Sequence, residues 1–148
     1  MTIYVATDHA GFELKEHLVA YVRDVLGYIV EDCGTHALDP EDDYPEFIKI
    51  AARAVSENPD EARAIILGGS GQGEAMVANK FPRVRATVYY GGPQDILKLS
   101  REHNNANILS LGARFMTVEE AKESVALWLS TGFTGEERHM RRILNIEQ

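Results

Sequence analysis

Short runs of apolar, β-branched residues alternate along this chain with segments whose apolar positions recur every three to four residues. The first pattern marks strands buried on both faces, and the second marks helices with one apolar stripe. Ile3–Thr7 reads as a buried strand, followed by a helix over residues 11–26. In that helix Leu14, Leu18, Tyr21, Val22, Val25 and Leu26 share a stripe, and Gly27 closes it. Tyr28–Asp32 predicts a second, shorter strand. Pro45 opens a helix through Phe47, Ile48, Ala51, Ala52 and Val55 that stops before Pro59. Ala64–Leu67 is a third strand, with a helix from Gln72 to Lys80. Arg85–Tyr89 is a fourth, with a helix from Pro93 to His103, and Ile108–Leu111 is a fifth. Thr117 stands three residues before Glu120, the capping-box spacing, and a last helix runs from Gly135 to Asn145.

Strands alternating with helices imply right-handed crossovers and a mostly parallel sheet covered on both faces. The expected fold is therefore α/β, a Rossmann-like three-layer α-β-α sandwich with a five-stranded, mostly parallel sheet. A length of 148 residues suits a single domain over 1–148, and 45% hydrophobic residues suffice to bury a core without disulfide or metal. The one cysteine, Cys33, can neither staple the fold nor form a zinc-binding pair, and is expected as a small buried side chain. No basic leader with an apolar signal core is visible, and no apolar run reaches the ~20 residues that cross a bilayer. These features fit a reducing, cytoplasmic setting with no membrane partner. The net charge of −8 argues against nucleic acid, and requires that any anionic ligand meet a local cluster of positive charge.

In open parallel sheets, ligands bind beyond the carboxyl ends of the strands, so the residues after each strand carry the chemistry. After the first strand comes Asp8-His9-Ala10-Gly11, which reads either as a helix cap with an exposed histidine or as an acid/base pair or ligand clamp at the mouth of the sheet. After the third comes Gly68-Gly69-Ser70-Gly71-Gln72-Gly73-Glu74. The dinucleotide fingerprint needs glycine at Glu74, the P-loop needs lysine there, and the nucleophile elbow around Ser70 needs glycine at Gln72. All three fail, which leaves an anion-binding cradle of another kind. Glu74 lies in the first helical turn, where the dipole and loop amides lower a carboxyl pKa while exclusion of water raises it. The fourth helix ends at Arg101-Glu102-His103-Asn104-Asn105, and Gly112-Ala113-Arg114 follows the fifth strand.

The last helix carries Arg138-His139-Met140-Arg141-Arg142, with positions 138, 141 and 142 on one face. Ion pairs to Glu136 and Glu137 would make that face structural; otherwise the guanidinium forks suit phosphate capture. His17 reads as structural or exposed, His36 flanks the second strand, and Pro40-Glu41-Asp42-Asp43 reads as a solvated loop.

Taken together, these segments resemble the ribose-5-phosphate isomerase B family, which includes the galactose-6-phosphate isomerase subunits. The resemblance rests on Asp8-His9-Ala10-Gly11, Asp43-Tyr44-Pro45, Gly68 through Glu74 with Ala78-Asn79-Lys80, Ser100 through Asn105, Gly112-Ala113-Arg114 and Arg138 through Arg142. It implies an aldose–ketose isomerase of sugar phosphates, without metal or cofactor, acting as a homodimer (or a tetramer) with sites built from both chains. Many members place a catalytic cysteine where Gly68 stands; this chain resembles the branch that uses a later glutamate, here Glu74. By resemblance, Glu74 is the base, His103 opens the sugar ring with help from Asp8, and Ser70 relays a proton. Tyr44, Gly69, Gly71, Gly73 and Asn104 would contact the sugar, and His9, Arg114, Arg138 and Arg142 the phosphate. Ribose 5-phosphate is the expected substrate, with allose or galactose 6-phosphate, or phosphosugar binding without catalysis, as alternatives.

Overall fold

The computed structural model describes residues 1–148. Five strands, β1 (Thr2–Thr7), β2 (Ile29–Asp32), β3 (Ala62–Gly68), β4 (Ala86–Tyr89) and β5 (Ile108–Gly112), form one sheet in the order β2-β1-β3-β5-β4. Every pairing is parallel, so the expected mostly parallel sheet is wholly so. The helices are α1 (Phe12–Ala20), α2 (Tyr44–Glu57), α3 (Gln72–Ala78), α4 (Asp95–Glu102), α5 (Val118–Ser130) and α6 (Glu137–Ile146).

Alternation within the strands explains the three layers. Ile3, Val5, Ile65, Leu67, Leu109 and Leu111 point to one face, where they pack with Leu14, Leu18, Leu97 and Trp128 of α1, α4 and α5. Ala6, Ala64, Ile66 and Ile108 point to the other, against Ile48, Ala51, Ala52, Val55 and Ala78 of α2 and α3. Thr117 caps α5 with the predicted reciprocal bonds to Glu120. The predicted 11–26 helix is compound: a 3₁₀ turn over His9–Gly11, then α1, then a π-helical turn over Tyr21–Val25. The last helix starts two residues later than expected, and His139 is its one buried residue. Cys33 is half-buried rather than buried, and burial pushes its thiol pKa up to about 11.

Two consequences of this topology place the functional residues. The chain passes from β1 out to β2 and then returns to β3 on the other side of β1, so a crevice opens between the carboxyl ends of β1 and β3. Each crossover helix also runs back toward the amino ends of the strands, so α4 ends at the opposite edge of the sheet from the crevice.

Candidate active site

The crevice is a cavity of about 530 Å³. Asp8, His9 and Ala10 after β1, Gly69, Ser70, Gly73 and Glu74 after β3, Arg114 and Phe115 after β5, and Tyr44 at the start of α2 line it. The β1·β3 and β3·β5 pairings carry these segments to one place, because Thr7 stands beside Leu67 and Gly68 beside Gly112.

Glu74 is 5% exposed, and its carboxylate occupies the space above Gly68. Any side chain at Gly68 would overlap that carboxylate, so a residue with a Cβ at 68 and the present Glu74 rotamer exclude one another. Gly71 takes a left-handed φ of 77° at the start of α3, the conformation that glycine adopts at no steric cost. Ser110 Oγ holds this turn by donating to the Gly71 carbonyl at 2.6 Å. The Tyr44 hydroxyl stands against Gly73, and the Arg114 guanidinium covers Gly69. Ser70 is exposed at the rim; its hydroxyl accepts a long 3.4 Å bond from the Gln72 amide.

The competition left open for Glu74 is settled by burial. Loss of hydration raises its carboxyl above the ordinary value, its own amide pulls it back, and the Asp8 charge raises it further. Asp8 is itself buried and caps the first helical turn, accepting from the Ala10 amide at 3.0 Å. Asp8 therefore caps the turn, as one of the two sequence readings expected, and it also lines the cavity.

Asp42 was concealed by its sequence context. It belongs to the acidic run expected as a solvated loop, yet its side chain is only 9% exposed. Its Oδ1 accepts from the His9 ring Nδ1 at 2.6 Å and from the His9 amide at 3.1 Å. The contact joins residues 33 apart, so no local spacing announces it. That bond pushes the His9 pKa up, with Asp8 adding to the effect and Arg114 opposing it. The donor atoms of Asp8, His9 and Asp42 lie within 4.8 Å of one another, a convergence the His9–Asp42 hydrogen bond accounts for.

The other four predicted side chains lie elsewhere. His103 caps the end of α4 and Asn104 follows it, beside the start of β4, where Arg85 Nε donates to the Asn104 carbonyl at 3.1 Å. Strand β5 alone has five residues, about 16 Å at ~3.3 Å per residue, and it separates this edge from the cavity. Thr134 fastens the segment before α6 to Glu102, and His139 stacks on His103 with centroids 4.2 Å apart. Arg138 and Arg142 are thus brought to the His103 edge, exposed. Arg138 pairs with Glu136 at 2.8 Å, as the structural reading expected, whereas Arg141 and Arg142 pair with no carboxylate. A cavity of about 610 Å³ opens at this edge, with Asn104, Lys80, Arg83, Arg85, Ile146 and Glu147 in its lining, well away from Glu74.

Fold and site together define an open parallel α/β protein with a cavity at its topological switch point, and a buried carboxylate and a glycine loop face that cavity. Residues 3–146 match the family model described as Ribose/Galactose Isomerase, and the chain belongs to that family. Ribose-5-phosphate isomerase B of Mycolicibacterium paratuberculosis is 41% identical over 143 residues, 97% of this chain and 87% of that protein. The Escherichia coli protein of the same name is 37% identical over 136 residues, 92% of this chain and 87% of its own length. Ribose-5-phosphate isomerase B from Mycoplasma genitalium, solved with bound ribulose 5-phosphate, superposes with a TM-score of 0.92 at 36% identity. That match covers 99% of this chain and 93% of the other. No helix of the present chain is long and apolar enough to cross a membrane.

Proposed function

We propose that this protein interconverts ribose 5-phosphate and ribulose 5-phosphate through a cis-enediolate, with Glu74 as the base. The observation that carries the reading is the Glu74 carboxylate, sealed over Gly68 inside the cavity and raised in pKa by burial. A carboxyl lifted toward the working pH accepts a carbon-bound proton and returns it more readily than a fully solvated one. The reaction moves hydrogen within one molecule, so it consumes no external oxidant or reductant.

Glu74 takes the proton from C2 of the open-chain aldose while O1 gains one, giving the enediolate and then the enediol. It returns its proton to C1 as O2 loses one, and the ketose results. Ser70 at the rim carries the hydroxyl proton between O2 and O1. The amides of Ser70, Gly71 and Gly73 have no backbone acceptor, which leaves them to meet charge developing on those oxygens. His9 and Arg114 hold the phosphate within the same chain.

Ring opening is assigned to His103, with Asn104 on the sugar oxygens and Arg138 and Arg142 on the phosphate. Because these four stand at the other edge of the sheet, they reach Glu74 only from a second subunit. The active form on this reading is a homodimer with sites shared between chains. The exposed Met140, Leu144 and Ile146 on α6 suit burial against that partner.

An NMR assay in D₂O tests the chemistry. Wild type should convert ribose 5-phosphate to the ketose with deuterium entering at C1, and Glu74→Gln should lose roughly 10²–10⁴-fold in kcat. Turnover of allose 6-phosphate in preference would reassign the substrate. Binding of both sugars without turnover would defeat the isomerase reading.

A further inference from the structure

We propose that Asp42 is a positioning residue for phosphate capture: it fixes the tautomer of His9 and keeps the imidazole charged, so that Nε2 faces the substrate phosphate. The inference rests on the reading of His9 as a phosphate ligand. It concerns a residue that no sequence motif marked, on a loop that otherwise reads as solvated.

Three features of the geometry support it. First, Asp42 spends one oxygen on two donors of the same residue, the ring Nδ1–H and the backbone amide of His9. The two bonds fix both the position of the residue and the rotation of its ring. Second, with Nδ1 committed to Asp42, the remaining ring nitrogen is the one available to a ligand in the cavity that His9 lines. Third, the Asp42 side chain is nine-tenths buried and its Oδ2 meets no donor. A buried carboxylate with an unpartnered oxygen is costly unless a cation stands against it, and His9 is the group placed to supply that charge.

The charges facing His9 come from four elements. Asp8 lies 3.9 Å from Nδ1 on the adjoining turn, and Asp42 lies on the loop before α2. Arg114 approaches from the turn after β5, and Glu74 of α3 lies across the cavity. Asp42 and Asp8 favour the imidazolium and Arg114 opposes it, in that order of strength. A phosphate oxyanion would therefore meet the Arg114 guanidinium and, at His9, an imidazole that Asp42 and Asp8 bias toward its charged form. In that complex Asp42 is neutralised by His9 and does not repel the ligand.

The test compares wild type, Asp42→Asn and His9→Gln, measuring KM and kcat for ribose 5-phosphate from pH 5.5 to 8.5. Asn keeps an oxygen for both His9 donors but removes the charge. For Asp42→Asn, KM should rise about tenfold at the alkaline end and converge on wild type at the acid end, where His9 is protonated in both. Its kcat should change by less than about threefold, since Asp42 does not touch the reacting carbons. In the wild-type protein alone, ¹⁵N NMR of His9 should show the proton on Nδ1 in the neutral ring. A KM effect equal at every pH would reduce Asp42 to a loop tether, and Nε2–H as the wild-type tautomer would overturn the proposal outright. An unchanged KM in His9→Gln would instead defeat the phosphate-ligand reading beneath it.

Discussion

At the carboxyl edge of the sheet the candidate acid/base groups are enclosed: Asp8 and Glu74 are buried and His9 is bonded to Asp42, while Ser70 and Arg114 stand exposed at the rim. At the amino edge the functional side chains are mostly exposed: Arg138 and Arg142 project from α6, Asn104 from the end of α4, and His103 is half-covered by His139. The first group is preorganised by the fold itself. Gly68 makes room for Glu74, Ser110 pins the Gly71 turn and Asp42 fixes His9. The second group is only delivered to a surface, held by the stacked histidines and the Thr134–Glu102 bond. A base must sit within a fraction of an ångström of its carbon and away from water, so it belongs in the rigid edge. Long cations that clasp a phosphate tolerate exposure, and gain most of their strength when a partner desolvates them.

Substitutions at the two edges should therefore fail in different ways. The largest effect is expected from Gly68→Ala. The new Cβ displaces the Glu74 carboxylate, and kcat should drop about 10²-fold while phosphosugar KM stays within about threefold. A fall in KM affinity without loss of kcat would show that the Glu74 position does not govern the chemistry. Arg142→Ala should do the reverse. Arg142 is exposed and forms no ion pair, so Tm should hold while KM rises about tenfold. A lowered Tm with unchanged KM would mark a structural arginine.

The smallest expected effect concerns stability. The folded-state carboxyl of Glu74 is raised, so the folded chain retains that proton to higher pH than the unfolded chain does. Stability from this group is greatest at low pH and declines as pH rises from the ordinary carboxyl value of 4.5 through the folded one. Glu74→Gln removes that cost. It should melt slightly above wild type at pH 8, and the gap should close toward pH 4.5. A gap that widens on acidification would mean that Glu74 is stabilised by charge partners instead of strained by burial.

Much of this is legible in the amino-acid sequence. The apolar runs located all five strands to within two residues at either end, because strands buried on both faces leave unbroken β-branched stretches. The Thr117 cap and Pro45 were set by local chemistry and held. Glu74 was singled out by its place after the glycine loop, but the direction of its pKa depended on burial that no spacing reveals. Asp42 was hidden because acidic runs are usually solvated, and its partner lies 33 residues away. The separation of His103 from Glu74 was implicit in the pattern: a crossover helix must end at the edge opposite to where it began. Sites built from both chains were expected only through the family resemblance; the direction of the crossover helix gives a physical reason for the same proposal.

The central claim, a site completed in trans, is tested most directly by mixing two inactive variants. Glu74→Gln and His103→Ala are unfolded together in equal amounts, refolded, and assayed on ribose 5-phosphate. If each site takes Glu74 from one chain and His103 from the other, half the dimers are hybrids with one intact site of two. Activity should then recover to about a quarter of wild type, while either variant refolded alone stays inactive. Recovery no greater than the sum of the separate variants would place Glu74 and His103 in sites of a single chain, and would contradict the account.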